Sequence, residues 1–213
     1  VGFGVGFGLI LAVFLAKKTR LNGLLQSVAF SPYIVSLASI ALLWMWLMNN
    51  DFGFLNALLA VFGIPAIDWL GSPKFALMSL IIINVWKSVG YNALILVSAL
   101  QGIPPHLYEA ARLDRANTWR TFSRITFPMI SPTVFFLALV DVIAAFKVFE
   151  TIQIITQGGP QNSTNTLVFS LYEYGFQFYK VGYAAAIGVV LFFIVLLFTI
   201  LYFAVLSKRV HYQ

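Results

Sequence analysis

The sequence predicts an all-α fold, a polytopic bundle of transmembrane helices, and three observations carry that prediction. Of 213 residues, 61% are hydrophobic and 9% charged, with a mean hydropathy of +0.91, whereas soluble domains hold apolar residues near about half. Five apolar stretches stand out at 1–16, 27–49, 75–100, 133–156 and 182–206, and a spanning helix needs ~20 such residues. Basic side chains collect in alternate connections: Lys17, Lys18 and Arg20, then Arg112, Arg115, Arg120 and Arg124, then Lys208 and Arg209, against only Lys74 and Lys180 in the other two. Because positive loops stay inside, the segment holding Arg112, Arg115, Arg120 and Arg124 and the C-terminus are expected to be cytoplasmic.

Taken in order, the first stretch is 16 residues long, begins without methionine and is followed by its basic cluster. A signal peptide carries its charges before the apolar core, so this reads as a truncated spanning helix of a longer chain, with at least one helix before it. Its "GFGVGFG" lacks the spacing of a nucleotide-binding loop. Gly2 with Gly6 and Gly4 with Gly8 instead make small-xxx-small pairs that let helices approach closely. Zero cysteines exclude disulfides and thiolate chemistry. The basic residues of three short loops make no continuous groove, which argues against nucleic acid as a partner. The connections 50–74 and 157–181 are rich in Gly, Pro, Asn and Ser and read as outward loops, with a short interfacial helix over 54–62. The whole of 1–213 is expected to be one helical membrane domain.

The cytoplasmic segment 102–132 is the polar island of this domain. Gly102-Ile103-Pro104-Pro105 ends the third long helix, and proline suits the first turn of the next, where its missing N–H had no partner. On that short helix Leu107, Ala110, Ala111 and Asp114 fall on one face, and Glu109 and Arg112 are i, i+3 neighbours. Asn117 is expected to cap a second short helix with Trp119, Phe122 and Thr126 on one face and Arg120 and Arg124 on another, before Pro128 and Pro132 lead into the next span.

Charges within spans normally face a cavity or a partner; here they are Lys87, Asp141, Lys147 and Glu150. Asn84, Lys87, Tyr91 and Ser98 draw a polar stripe along the third long helix, either lining a cavity or bonding to other helices. Lys147 and Glu150, at i, i+3, are placed to neutralise each other. An intramembrane enzyme using Asp141 or Glu150, or a receptor or scaffold, are the rival readings.

Glu109-Ala110-Ala111, Ile125 and Pro128 resemble the EAA signature of ABC importer permeases, with Arg115 in place of its glycine and Phe127 in place of its leucine. The first departure falls at a turn where a positive φ would strain a residue bearing a Cβ. "GIPPHLYEAARLD" and "TQGGPQNSTNTL" are similar to segments of the sugar and glycerol-phosphate branch of that family, the maltose type. The resemblance implies that Leu107, Glu109, Ala110, Ala111, Arg112, Asp114 and Arg115 couple to an ATPase. With Asn84 on the stripe, it places substrate contacts at Lys87, Ser88, Tyr91, Ala144, Ala145 and Val148. It implies a multi-pass permease of the bacterial inner membrane for a carbohydrate, or for glycerol-3-phosphate or a polyol. Its partners would be a second permease subunit, two cytoplasmic ATPase subunits, an extracytoplasmic solute-binding protein and membrane lipid. No cofactor is implied in this chain; ATP and Mg belong to the ATPases.

Overall fold

The computed structural model describes residues 1–206; Lys208, Arg209 and His211, and with them the expected cytoplasmic C-terminus, lie outside the described residues. In chain order the helices are α1 (Gly2–Leu15), α2 (Arg20–Ile34), α3 (Leu37–Leu47), α4 (Phe54–Val61), α5 (Ala76–Gln101), α6 (Pro105–Leu113), α7 (Thr118–Thr121), α8 (Phe127–Phe146), α9 (Leu167–Tyr172) and α10 (Val181–Leu206). There are no strands among the described residues. Every apolar stretch is helical, but the five expected spans differ in kind. α5, the continuous run 118–146 and α10 are each long and apolar enough to cross a membrane, α2 and α3 meet that test of length and composition only when counted as a pair, and α1 is shorter.

Prolines explain two of the differences. Pro32 and Pro132 sit inside α2 and α8, where each lacks the N–H that should bond four residues back. Ser31 donates to the Val28 carbonyl at 2.9 Å and Ser131 to the Pro128 carbonyl at 2.8 Å, the two acceptors so deprived. Serine hydroxyls can thus keep a proline inside a spanning helix. A separate span from 133 was expected; instead α7 continues into α8 through a π-turn at Phe122–Thr126, closed by the Phe127 N–H on the Phe122 carbonyl. The wider turn absorbs the register that Pro128 would otherwise break. The expected helix 133–156 stops at Phe146 and resumes at Glu150, so Lys147 and Glu150 are not neighbours on one helical face.

Two compact units make up the chain. The first takes in Val1–Tyr33, Trp86–Ile143 and the end of α10 from Phe198. Its core joins Val5, Ala12 and Leu15 of α1 to Leu96 and Val97 of α5 and to Ile130 and Leu137 of α8. The end of α1 leaves carbonyls with no helical donor. Amides supply them: Gln26 Nε2 donates to Leu15 at 2.9 Å, Gln101 Nε2 to Ala16 at 3.1 Å and Asn22 Nδ2 to Lys17 at 2.9 Å. Of the two glycine pairs, Gly4 and Gly8 are buried against Ser88, Asn92 and Asp141, while Gly2 and Gly6 have open space around them. Tyr202 donates to the Phe135 carbonyl at 2.8 Å with the two rings stacked.

The second unit, Ile34–Val85 and Ala144–Leu197, is built around Ile40, Trp44 and Met48 of α3, Leu80 and Ile83 of α5, Ile152 and Phe169. Asn56 organises the connection 50–74: its Nδ2 donates to the Asn50 and Ile67 carbonyls, and its Oδ1 accepts from Ile67 N–H and Trp69 Nε1. All four hydrogen-bonding positions of the amide are thereby used. In the loop 157–166, Gln157, Gly158, Gln161 and Asn162 have positive φ and Gly159–Pro160 is cis. Thr164, buried in that loop, donates to the Gly159 carbonyl at 2.7 Å and shares a hydrogen bond with Thr156.

Candidate functional site

α6 begins where proline allows it, with Pro104 as N-cap and Pro105 in the first turn. The expected face of Leu107, Ala110, Ala111 and Asp114 divides. Leu107 and Tyr108 pack on the core of the first unit and Ala111 is 6% exposed, whereas Glu109, Ala110, Arg112, Leu113 and Asp114 are exposed. Ala111 therefore makes its close approach to the protein's own helices. Tyr108 was not singled out from the sequence, yet its hydroxyl bonds the buried Thr126 hydroxyl at 3.1 Å and ties α6 to the π-turn. Together with buried Ile103, these contacts fix the helix while its charged side stays open.

The turn after α6 answers the question raised by Arg115. Its φ is +50°, so the left-handed conformation that a glycine would suit is present although the residue is arginine. The Arg115 N–H bonds the Arg112 carbonyl at 3.0 Å and the Ala116 N–H bonds the Ala111 carbonyl at 2.9 Å. This pair of bonds is the Schellman ending of a helix, in which the left-handed residue lets the last carbonyls find donors. Asn117 then caps α7 as expected, its Oδ1 accepting from the Arg120 N–H at 2.7 Å. Around the turn stand two apolar side chains, Leu113 at 86% exposure and Trp119 at 74%.

Within the spans, Asp141 is half-buried on α8 and its Oδ2 accepts from Asn92 Nδ2 of α5 at 2.8 Å. Asn92 is fully buried and its Oδ1 has no partner. A Cβ on Gly4 would lie 2.8 Å from Ser88 Oγ and 3.2 Å from Asp141 Oδ2, so the α1 backbone lies directly on this polar cluster. Asn92 was missed because the stripe was drawn through Lys87 and Tyr91. Asn84, Ser88 and Asn92, at i, i+4 and i+8, form the neighbouring row.

The other expected pathway residues are more scattered in character. Lys87 is half-buried. Tyr91 stacks on Tyr33 with ring centroids 4.5 Å apart, and Tyr33 in turn on Phe30 at 5.6 Å. Ser98 turns back to the Leu94 carbonyl at 3.1 Å. In the second unit Asn84 Nδ2 donates to the Leu80 carbonyl at 2.8 Å and approaches Thr151 Oγ1 at 3.5 Å, the packing alternative considered for the stripe. Ala144 and Ala145, in the last turn of α8, are exposed, and Val148 packs on the core of the second unit.

Apolar spans repaired for their prolines, small residues at helix contacts and an exposed charged loop define a helical membrane protein. The chain belongs to the family described as the binding-protein-dependent transport system inner membrane component, whose sequence profile matches residues 4–212. It is 36% identical over 215 residues to the sn-glycerol-3-phosphate transport system permease protein UgpA of Pectobacterium atrosepticum, covering 98% of this chain and 72% of that one. It is 33% identical over 201 residues to the trehalose/maltose transport system permease protein MalF of Thermococcus litoralis, covering 93% and 67%. A crystal structure of a bacterial ABC transporter that imports the acidic polysaccharide alginate superposes with a TM-score of 0.83 at 25% identity, over 95% of this chain and 73% of that one. The protein is thus a multi-pass permease subunit of the inner membrane and not an enzyme, which removes the acid–base role considered for Asp141 or Glu150.

Proposed function

We propose that this chain is one of two permease subunits that together line the path of a carbohydrate through an ABC importer, with α6 and its turn engaging a cytoplasmic ATPase. A solute-binding protein would deliver the solute, and two ATPase subunits would supply the energy. The observation that carries the reading is the mounting of the Glu109-Ala110-Ala111 helix. Ala111, Ile103 and the Tyr108–Thr126 bond hold it to the bundle, while Glu109, Arg112, Leu113, Asp114 and Arg115 stay open. A rigid helix with an exposed charged side transmits displacement, whereas a flexible loop would absorb it. Leu113 and Trp119 supply the apolar contact that a charged patch lacks, since interface cores favour apolar and aromatic side chains over charge.

Glu109→Lys tests the coupling. Like charges opposed at an interface cost several kcal/mol, so uptake is expected to be lost and the ATPase to wash from membranes that still contain the permease. Unchanged uptake together with unchanged ATPase association would overturn the reading.

Glycerol-3-phosphate is the second candidate solute, favoured by the UgpA similarity and by Lys87, whose ammonium offers three donors to phosphate oxygens. Lys87→Met is expected to depress uptake of glycerol-3-phosphate, measured with the labelled compound, more than uptake of maltose. Equal losses for both would make Lys87 a packing charge.

A further inference from the structure

We infer that α4 lies along the membrane surface, with lipid covering the face formed by Phe54, Leu58, Val61 and Phe62. These residues recur at i, i+4, i+7 and i+8, which places them in one stripe along the helix. All four are exposed, Val61 at 78% and Phe62 at 73%. The other side of α4 is committed to its own unit: Asn56 is buried in its four hydrogen bonds, and Leu55 packs on the cluster around Ile40 and Trp44. The apolar stripe is therefore held outward by the fold, and nothing in its own unit covers it.

Two observations select lipid as the occupant. Six residues, 48–53, separate α3 from α4, and an extended chain of that length reaches at most about 20 Å. α4 must therefore start close to the end of α3, whose last turn exposes Trp46, a side chain of the kind that anchors helix ends at a bilayer surface. The segment 54–67 contains no charged residue, and Ile64 beyond the helix is exposed as well. A surface meant for a soluble partner carries a polar rim, whereas a helix seated at the headgroup boundary buries its apolar face among acyl chains. α4 thus serves as a float that fixes the level of the 50–74 connection.

Residues 1–213 hold no cysteine; single spin labels are placed at Leu58→Cys and Val61→Cys in the full-length protein, with any cysteine elsewhere in it or in its partner subunits first replaced by serine, and the complex is assembled in phosphatidylcholine bilayers. Lys180→Cys, at an exposed charged position, serves as the aqueous reference. Collisions with oxygen, which partitions into lipid, are compared with collisions with a water-soluble nickel chelate. The oxygen-to-nickel ratio is expected to be several-fold higher at 58 and 61 than at 180. Nickel contact equal to that at 180 would mean that the stripe faces water. Exclusion of both reagents would mean that a protein covers it. Either outcome overturns the inference.

Discussion

At the scale of single residues, Arg115 holds a left-handed backbone conformation that a glycine would adopt without strain. A left-handed conformation costs a residue with a Cβ roughly 1–2 kcal/mol, and here two hydrogen bonds to the end of α6 hold it in place. Arg115→Gly is therefore expected to raise stability by about 1 kcal/mol, read as a higher melting temperature of the purified permease. If its guanidinium also contacts the ATPase, the same variant weakens assembly while it melts higher. A lower melting temperature would contradict the strained turn itself. The Asn92–Asp141 bond makes a second residue-scale case. Asn92→Leu removes the donor to Asp141 Oδ2 and is expected to destabilise by about 1 kcal/mol, near the upper range for hydrogen bonds between membrane helices. Adding Asp141→Leu should recover part of that loss, because removing both polar partners costs less than orphaning one. Thermal unfolding of the two variants compares them, and a further drop in the double variant would show that Asp141 is held by other groups.

At the scale of elements, the packing of α2 on α5 rests on one glycine. A Cβ on Gly90 would run into the Ala29 carbonyl oxygen and lie 3.2 Å from Phe30 Cα. These obstacles are backbone atoms that cannot rotate away. Just beyond this contact Tyr33 stacks on Tyr91, so the close approach also sets the ring pair. Gly90→Ala is expected to cost about 3 kcal/mol, the upper part of the usual range for overpacking. Gly182→Ala, with no atom within 4 Å of the added methyl, is the control. Recovery and melting of the two proteins side by side decide the matter, and an undisturbed Gly90→Ala would mean that α2 shifts freely on α5. Elements also show where a sequence can mislead. The stretch 133–156 is apolar enough for one uninterrupted helix, yet α8 stops at Phe146. The start of α8 was hidden by Pro128, because a π-turn that admits it is set by backbone hydrogen bonding and leaves no composition signal.

At the scale of the whole molecule, hydropathy and proline placement were enough to find the apolar helices and the polar segment between α5 and α8, but not where α8 begins and ends. Burying apolar residues in lipid and stopping helices at Gly102 to Pro105 are local or additive effects, and the chain carries them in order. The cap at Asn117 was readable for the same reason: it depends on residues within a single turn of one another. Which residues share a contact was not readable. Ala110 and Ala111 are chemically alike, and only the docking of α6 on its own bundle turns Ala111 inward and leaves Ala110 out. Tyr108 with Thr126, Asn92 with Asp141, and Gly4 over Ser88 join residues 18, 49 and 84 positions apart by subtraction of their numbers. The sequence by itself thus determined a helical membrane protein with a charged segment between α5 and α8, because periodicity, hydropathy and capping act along the chain. The tertiary structure alone decided which side chains stand open and which are spent on packing, because that depends on what the fold brings from far away in the chain.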